Sequence, residues 1–381
     1  MKTDTFSLQI LRGVSGIERL KSDWNTIFTS VSPRDFYHAY SWHNCYLRHL
    51  STDPDDILFC YISSTELCCQ AIVPLEKASI RYFGVDFCQL RIPSHPHLPL
   101  RDIVVSENWT HELPVSWFVR ELNTQLPFRW HFLLFDCALP QSNILKLLRP
   151  SIETRTVIEH TGHSSYIVLD STDPLRSLSK NFRSNLSRAR NKLAKFRTVE
   201  IETTNRMPDL KRAFDDFMHV EAAGWKGEKG TKSAIKFNQS LVAFYNCLIC
   251  ESSENVQCEI SILRVDSIPI AAQFGLIIDE TVYQLKIGFD ENYSDLSPGN
   301  ILIENLLSEY RQRDLKCFNL VSHTQWHENW RAARQNLHSC YVFNNTLPGR
   351  LLYFPLRIKQ LLRPIYHKCI RPLFSRPRIR T

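Results

Sequence analysis

With 381 residues, the chain is long enough for two domains of about 150–200 residues, and its 43% hydrophobic and 22% charged residues exclude a disordered protein. The net charge of +7 is unevenly distributed, because eleven Lys and Arg but no Asp or Glu follow Glu328. Residues 1–328 therefore carry 35 basic and 39 acidic side chains, and the positive charge is concentrated in the tail.

The twelve cysteines are scattered without the regular spacing of a disulfide framework. The opening residues Met1–Phe6 lack the apolar core of a signal peptide, and no run of eighteen apolar residues predicts a membrane-spanning helix. These observations predict free thiols and a cytoplasmic location.

The first half begins with two helical patterns. The first is marked by apolar residues at helical spacing, Ile17, Leu20, Trp24, Ile27 and Phe28, and the second spans residues 36–50. A β-hairpin is predicted from Ile57–Ile62, the polar turn Ser63–Glu66 and Leu67–Pro74. The proline-rich residues 91–101 indicate a loop, Trp130–Phe135 a strand and Gln141–Leu148 a short helix.

The second half has a clearer order of elements. Three helices are predicted, over Ser179–Arg197, over Leu210–Ala223 and around Phe237–Leu248. Three strands follow with connections too short for anything but antiparallel pairing, Gln257–Val265, Pro269–Asp279 and Thr281–Phe289. A helix over Ile301–Arg311 and a strand over Leu315–Val321 complete the pattern. This order predicts a mixed α/β sheet whose last strand is parallel to one of its neighbours.

Glu221 is the first candidate for chemistry, because it falls on the apolar stripe of the helix Leu210–Ala223. A partly desolvated carboxylate has a raised pKa and suits a general base. The alternative is an ion pair with Lys226 or Lys229 at the helix end. Trp225 and Lys226 follow in a glycine-rich loop and are candidates to contact an anionic ligand, although Trp225 could equally fill a seam between domains.

Regular alternation along the strand Thr281–Phe289 places Gln284 and Lys286 on one face and four other residues on the opposite face, Tyr283, Leu285, Ile287 and Phe289. Two long polar side chains on one face indicate a polar cleft, or alternatively a face exposed to solvent. Asp290 follows at the end of the strand, where a catalytic carboxylate often stands.

The sequence Ser297-Pro298-Gly299-Asn300 opens the next helix. A helix N-terminus presents unpaired amides and the positive end of the helix dipole, which suits a phosphate or diphosphate. Four aromatic residues after the last strand are expected to wall the same cleft, His323, Trp326, His327 and Trp330. No metal is expected, because these histidines lack carboxylate or cysteine partners at ligand spacing. Cys247 and Cys250 are expected in the core.

Four segments of the second half, taken in order, resemble a known family. They are Lys180–Arg188, Gly224–Gly227, Ala271–Gly275, and the stretch from Tyr283 through Ser297-Pro298-Gly299. Their order and spacing resemble the GNAT superfamily of acyltransferases, and more narrowly its FemAB-like branch with tandem GNAT domains, the cellulose-biosynthesis-type acetyltransferases. The resemblance covers residues 10–345. In the second half it depends on the four sequence segments, and in the first half only on the order of the predicted elements.

The resemblance implies two tandem GNAT-like domains, a degenerate one over 1–165 and an acyltransferase domain over 166–345, followed by a basic tail over 346–381. It also implies an acyl-CoA donor, acetyl-CoA or another, and an amine acceptor. The strand holding Gln273 and Phe274 would polarise the thioester carbonyl, and amides near Ser297, Gly299 and Asn300 would hold the diphosphate. A carboxylate, Glu221 or Asp290, would take the amine proton, and Tyr283 would protonate the leaving thiolate.

Two differences from the family pattern concern the donor site. The usual Gln/Arg-x-x-Gly-x-Gly/Ala phosphate loop is replaced by Ser-Pro-Gly, and Trp326-His327 stand where relatives commonly carry a Tyr-Lys pair. Either difference is compatible with a changed donor or with lost catalysis.

Two basic segments leave alternatives open. Seven Lys and Arg in residues 180–197, with no acid among them, form either a solvated face or a contact for an anionic acceptor. The tail alternates apolar and basic residues, and Pro355, Pro364 and Pro372 are expected to interrupt any helix in it. A short amphipathic piece over Leu356–Leu362 would rest on anionic lipid at the inner face of the membrane, or the tail is a disordered cationic end.

Three functions follow from these patterns. The preferred one is an acyl-CoA-dependent N-acyltransferase that acts on a sugar or a lipid-linked glycan precursor in polysaccharide biosynthesis. The second is a FemAB-type transferase that draws an aminoacyl group from transfer RNA, although the long helical hairpin usual in that branch is not evident, and nucleic acid is not expected as a partner. The third is a non-catalytic accessory protein of polysaccharide synthesis.

Overall fold

The computed structural model describes residues 6–64, 66–82, 84–109, 115–148, 154–169 and 173–365. Within these ranges the α-helices are α1 Gly13–Ser30, α2 Tyr40–His49, α3 Val115–Gln125, α4 Asn143–Leu147, α5 Lys180–Leu193, α6 Asp209–Ala223, α7 Gln239–Cys250, α8 Pro298–Gln312 and α9 Leu347–Ile365. The strands are β1 Ser7–Arg12, β2 Ile57–Ser64, β3 Cys69–Tyr82, β4 Val85–Arg91, β5 Val104–Val105, β6 Phe132–Ala138, β7 Thr156–Val168, β8 Val199–Thr204, β9 Gln257–Val265, β10 Ile268–Ile278, β11 Thr281–Phe289, β12 Cys317–Asn319 and β13 Ala333–Phe343.

The predicted mixed α/β sheet is confirmed, and the strands form one continuous sheet. Its order is β1-β2-β3-β4-β6-β13-β7-β12-β11-β10-β9-β8, with β5 beside β3. The β9, β10 and β11 strands pair antiparallel, and β12 lies parallel to β11, as the chain order predicted. The helices α1, α5, α6, α7 and α8 also form where apolar periodicity placed them.

The last strand of the sheet returns to the first half of the chain. β13 lies between β6 and β7 and pairs antiparallel with both, while β7 pairs with β12 on its other edge. The two halves of the chain are therefore interleaved in the middle of the sheet. The domain boundary predicted between residues 165 and 166 falls inside β7.

The two faces of the second half of the sheet are covered by different helices. On one face, α6 and α7 pack together with α1 and α2 in a single apolar core that includes Tyr283 and Leu285 of β11. On the other face, α5 and α8 form a core with Val282 of β11 and Phe318 of β12. We call these the α6 face and the α8 face.

The expectation of free thiols is wrong for one pair of cysteines. Cys45 of α2 and Cys247 of α7 form a disulfide across 202 residues of sequence. The two helices pack side by side, with Trp42 edge-on to Phe244 at 5.4 Å between ring centroids, so the two sulfurs meet in the core. Cys250, expected in the core, is exposed on α7.

The expectation that prolines interrupt a helix in the tail is wrong for the described part of it. The helix α9 runs from Leu347 through Pro355 to Ile365. A proline inside a helix removes one backbone hydrogen bond and bends the helix, but neighbouring turns can continue it. Pro372 lies outside the described residues. No helix in the part of the chain that the structure describes is long and apolar enough to cross a bilayer.

Candidate functional site

The sheet opens between the parallel strands β11 and β12. Thr281–Tyr283 pair with Cys317–Asn319, and the pairing stops there although β11 continues to Phe289. After β12 the chain follows β7 instead, because Leu320 donates its N–H to the Ser165 carbonyl at 2.8 Å and the Ser322 carbonyl accepts the N–H of Ser165 at 3.1 Å. A cavity of about 570 Å³ occupies the opening and is lined by β11, by the segment after β12 and by the start of α8.

A bulge in β11 changes which side chains face the cavity together. Gln284 lies opposite Gly275 of β10 and Lys286 lies opposite Phe274, which leaves Leu285 as an extra residue without a partner in the ladder. Because the adjacent residues Phe274 and Gly275 point to opposite faces, Gln284 and Lys286 do as well. The expectation that these two side chains share one face is therefore wrong.

Their neighbours identify the two faces. Val282 packs in the core beneath α8, so Gln284, two residues on, lies on the α8 face. A Cβ atom added to Gly288 would lie 2.9 Å from the Glu221 Cα atom of α6, so Lys286, two residues before, lies on the α6 face. The cavity therefore passes through the sheet and is lined by side chains from both faces.

The start of α8 forms the cavity wall on the α8 face. Ser297 has a left-handed backbone with φ of 49°, and it turns the chain into the helix before Pro298. The N–H of Asn300 is engaged with the Ser297 carbonyl at 3.0 Å, whereas the N–H of Gly299 has no acceptor among the described residues. A Cβ atom at Gly299 would meet only the Phe289 ring, at 3.6 Å. The helix start is thus open, with a free amide and the positive end of the α8 dipole.

Gln284 adds a second unsatisfied donor to this part of the wall. The side chain is 5% exposed, and its Nε2 atom has no hydrogen-bond partner among the described residues. A buried amide without a partner costs free energy unless a ligand or water satisfies it. The α8 face of the cavity therefore offers two hydrogen-bond donors to a ligand, from Gly299 and Gln284.

On the α6 face, Glu221 is held on both of its oxygens. Its Oε1 accepts from Lys226 Nζ at 2.6 Å, and its Oε2 accepts from the Ile235 N–H at 2.9 Å. Of the two readings of Glu221 left open by the sequence, the ion pair with Lys226 is present, and the carboxylate also lines the cavity. Trp225 is 59% exposed at the same rim, with the Lys226 ammonium 5.7 Å from its ring centroid.

Lys286 is the other cation of the α6 face. Burial and then the positive charge of Lys226 lower the pKa of Lys286 to about 8, with Glu221 acting in the opposite direction. A loop of the first half, the proline-rich segment between β4 and β5, brings His95 and His97 towards this charge. Burial first, and then Lys286, lower the pKa of both histidines, that of His97 to about 2.

Eight of the predicted site residues line the cavity together, Glu221, Trp225, Lys226, Gln284, Lys286, Ser297, Gly299 and Asn300. Trp326 and His327, expected as walls, line it as well, and burial lowers the pKa of His327 to about 4. Sequence reasoning missed Ser294, Ser322 and Thr324, which also line the cavity. Single hydroxyl residues in loops and short helical turns carry no signal of their own in one sequence.

The structure does not bring two predicted catalytic residues to the cavity lining. The Tyr283 hydroxyl donates to the Asp35 carboxylate on the α6 face, and burial followed by that carboxylate raises the pKa of Tyr283 well above its usual value. Asp290 caps the short helix Glu291–Leu296 by accepting the N–H of Asn292 at 2.9 Å. Neither residue reaches the opening between the strands.

Four predicted binding residues also lie elsewhere. Gln273 and Phe274 belong to β10, which is hydrogen-bonded to strands on both edges, so its backbone has no free edge for a thioester. Gln273 donates to the Tyr310 hydroxyl at 2.9 Å, and Phe274 is buried beneath α6. His323 pairs with the Ser165 hydroxyl at 2.8 Å, and Trp330 packs edge-on against Phe182 of α5. The strand that borders the opening is β11 rather than β10.

Residues 180–329 match the family model described as an acetyltransferase (GNAT) domain. This part of the chain therefore resembles a GNAT domain. No curated protein matches the chain. Among solved structures, FemX is similar with a TM-score of 0.52 at 10% identity, covering 90% of this chain and 98% of FemX.

Two further structures are similar to the chain. The structure of L-PGS from Bacillus licheniformis has a TM-score of 0.50 at 13% identity, covering 87% of this chain and 95% of that one. A tandem GNAT protein from the clavulanic acid biosynthesis pathway has a TM-score of 0.46 at 9% identity, covering 89% and 99%. The predicted GNAT-like acyltransferase fold is confirmed for residues 180–329, and the likeness to FemX shows that the chain shares the fold of that protein. Among the described residues, no group of His, Cys, Asp and Glu is arranged to hold a metal ion.

Proposed function

We propose that the chain is an N-acyltransferase that moves an acyl group from acyl-CoA, acetyl-CoA or another, to an amine. The observation that carries the proposal is the opening between β11 and β12 beside the free N-terminus of α8. A thioester is narrow enough to lie between two strands, and a diphosphate suits a helix start with a free amide. The GNAT domain supports the reaction class.

The donor enters from the α8 face in this proposal. The diphosphate lies at the Gly299 N–H, and the Gln284 side chain, which has a buried unsatisfied Nε2, donates to an oxygen of the donor. The β11 bulge frees backbone groups at Leu285 from the ladder, and an N–H there can donate to the thioester carbonyl. Such a donor stabilises the oxyanion that forms when the amine attacks.

The amine attacks from the α6 face. Its nitrogen forms a bond to the carbonyl carbon, the carbon–sulfur bond breaks, and one proton leaves the nitrogen while the thiolate of coenzyme A gains one. Of the two carboxylates proposed as base, Glu221 is the better placed, because it lines the cavity and Asp290 does not. The proton passes to a Glu221 oxygen directly or through a water molecule, because each oxygen accepts only one hydrogen bond and keeps a second lone pair.

A sugar or lipid-linked glycan precursor remains our proposal for the acceptor. The exposed indole of Trp225 at the rim of the cavity supports it, since an aromatic face can stack against a sugar ring. A cytoplasmic enzyme of polysaccharide biosynthesis would meet both acetyl-CoA and such a precursor.

A second donor, aminoacyl-transfer RNA, is favoured by one observation. The helix α5 packs beside α8 and the short helix before it, on the side where the donor would enter. All seven Lys and Arg of residues 180–197 are exposed, Lys180, Arg183, Arg188, Arg190, Lys192, Lys195 and Arg197. A surface of this charge attracts any polyanion, and transfer RNA is a larger one than coenzyme A.

Thermal-shift measurements separate these functions. We expect acetyl-CoA to raise the melting temperature. Aminoacylated transfer RNA should change the melting temperature no more than deacylated transfer RNA does. A response to aminoacylated transfer RNA alone would support the second donor. If neither ligand shifts the transition, a non-catalytic accessory protein is the remaining function.

A further inference from the structure

The α6 face of the cavity carries one cation that no described residue neutralises. Lys286 makes no hydrogen bond and no ion pair with the part of the chain that the structure describes, whereas Lys226 is paired with Glu221 at 2.6 Å. Glu221 is the one carboxylate in the lining of this cavity, and its second oxygen is taken by the Ile235 N–H. The positive charge of Lys286 is therefore unbalanced.

The described residues around Lys286 supply no negative charge that would balance its ammonium group. Lys286 is partly buried, and an ammonium group withdrawn from water needs a partner of opposite charge. His95 and His97 approach from the first half, and they are potential cations or neutral rings rather than anions. The lowered pKa of Lys286 is the expected consequence of a cationic site without its counter-charge.

We propose that the acceptor carries an anionic group, a carboxylate or a phosphate, near its amine, and that Lys286 binds this group. The inference rests on the proposed function for the identity of the ligand as acceptor. Lys226, Lys286 and Glu221 together carry a net charge of +1 on this face, and a bound anion would neutralise it. Because Lys286 follows the β11 bulge directly, an anion held there keeps the amine close to the opening in the sheet.

Three amino sugars that differ in charge test the inference by binding alone. Glucosamine has no anionic group and is the reference, glucosamine 6-phosphate adds a phosphate, and muramic acid adds a carboxylate. Isothermal titration of the full chain is expected to give about 10- to 100-fold tighter binding for one or both anionic sugars, as for a charge-assisted hydrogen bond. The anionic sugar that binds more tightly identifies the anionic group of the acceptor.

The variant Lys286→Gln is expected to lose this preference, and Lys229→Gln is the matched control. Lys229 is exposed in the same loop as Lys226 and does not line the cavity. Equal affinity for the three sugars, or an unchanged preference in Lys286→Gln, would overturn the inference. Because the titration contains no acyl donor, failure of acetyl-CoA to bind would contradict the donor assignment without affecting this result.

A second, independent observation concerns the surface of α9. Six large apolar residues of this helix are more than half exposed, Leu347, Leu351, Phe354, Ile358, Leu361 and Leu362. They recur at intervals of three and four residues and so form one stripe along the helix. The opposite side holds the helix on the sheet, with Tyr353 buried among Phe87, Phe132, Val157 and Phe343. The stripe is uncovered in the part of the chain that the structure describes.

The charge beside the stripe selects its partner. Arg350, Arg357 and Lys359 lie on α9, six more Lys and Arg follow up to residue 380, and no acidic residue occurs after Glu328. A second copy of the chain would bring the same positive charge to the stripe and be repelled. A basic helix with an apolar face is attracted to anionic lipid and lies in the plane of the interface. We infer that α9 docks the protein on a membrane surface rich in anionic lipid.

Vesicle co-sedimentation tests the docking. We expect binding to phosphatidylcholine vesicles with about 30% phosphatidylglycerol and little binding to phosphatidylcholine alone. The triple variant Leu351→Ser, Phe354→Ser and Ile358→Ser should lose at least about tenfold in affinity. Each change of Arg350 or Arg357 to Gln should cost about fivefold. The control is Ile268→Ser, since Ile268 is 49% exposed at the start of β10.

Two results would overturn this second inference. One is equal binding to both kinds of vesicle, or undiminished binding of the triple variant. The other is a dimer, seen by analytical ultracentrifugation, that the triple variant abolishes, because a second copy of the chain would then cover the stripe.

Discussion

The change Gly299→Glu tests the assignment of the α8 N-terminus to the diphosphate of the donor. A side chain is tolerated at this position, because an added Cβ atom would meet only the Phe289 ring at 3.6 Å, an ordinary contact. Gly299 is the second residue of α8, where a carboxylate interacts favourably with the helix dipole. The protein should therefore fold, and its melting temperature should stay the same or rise slightly.

The expected loss of donor affinity follows from charge repulsion. A carboxylate about 4 Å from one charge of a diphosphate costs about 4 kcal/mol at an effective dielectric constant of about 20, and about 1 kcal/mol in bulk water. The open position of the helix start lies between these limits. We expect acetyl-CoA to bind about 5- to 1000-fold more weakly to Gly299→Glu.

Gly299→Ala is the matched control, since it adds the Cβ atom without the charge. Isothermal titration with acetyl-CoA should give nearly the same dissociation constant for Gly299→Ala and the unmodified chain. If Gly299→Glu binds acetyl-CoA within about twofold of Gly299→Ala, the diphosphate does not lie at this helix start and the reasoning is refuted.

Three further predictions concern stability and catalysis. Reduction of the Cys45–Cys247 disulfide should lower the free energy of unfolding, by up to about 5 kcal/mol for a link across 202 residues, and a variant with both cysteines changed to Ser should not respond to reductant. Lys286→Met should raise the free energy of unfolding in urea at pH 7, by up to about 3 kcal/mol, because the folded state lowers the pKa of Lys286 from 10.5 to about 8. Between pH 8 and 10.5 the unfolded chain binds more protons than the folded one, so the unmodified protein gains stability as the pH rises through this range. The stability advantage of Lys286→Met should therefore vanish above pH 10.5. Tyr283→Phe should cost about 1.5–3 kcal/mol of stability through the lost hydrogen bond to Asp35 and leave kcat nearly unchanged, whereas a fall in kcat of about a hundredfold would make Tyr283 the catalytic acid.

Local sequence patterns were sufficient to predict the helices and strands of the second half. The apolar stripe of α6 places Phe214 and Phe217 in the core, and the same spacing puts Glu221 in a buried position. The short connections between β9, β10 and β11 leave no other pairing. For the same reason the helix start at Gly299 was found from its sequence.

Long-range pairing was not accessible to the same reasoning. The β7 and β13 strands are rich in polar residues, with His160, His163 and Ser164 in one of them, and they pair with each other across some 170 residues. The Cys45–Cys247 disulfide depends on the packing of α2 against α7, which no local signal reports.

The candidate site was only partly predictable because of one extra residue. Regular alternation along β11 assigns Gln284 and Lys286 to the same face, and the unpaired Leu285 separates them. No glycine or proline lies within two residues of Leu285 to mark the bulge. The division of the cavity between the α8 face and the α6 face therefore became visible only in the structure.

The position of β13 between β6 and β7 ties the two halves of the molecule into one mechanical unit. A hinge motion between the halves would have to break the hydrogen bonds on one edge of β13. Residues 180–329 expressed alone would lack both β7 and β13 and would leave β12 with a bare edge that invites aggregation. Any fragment meant to keep the cavity intact has to include the chain from before β6 to beyond β13.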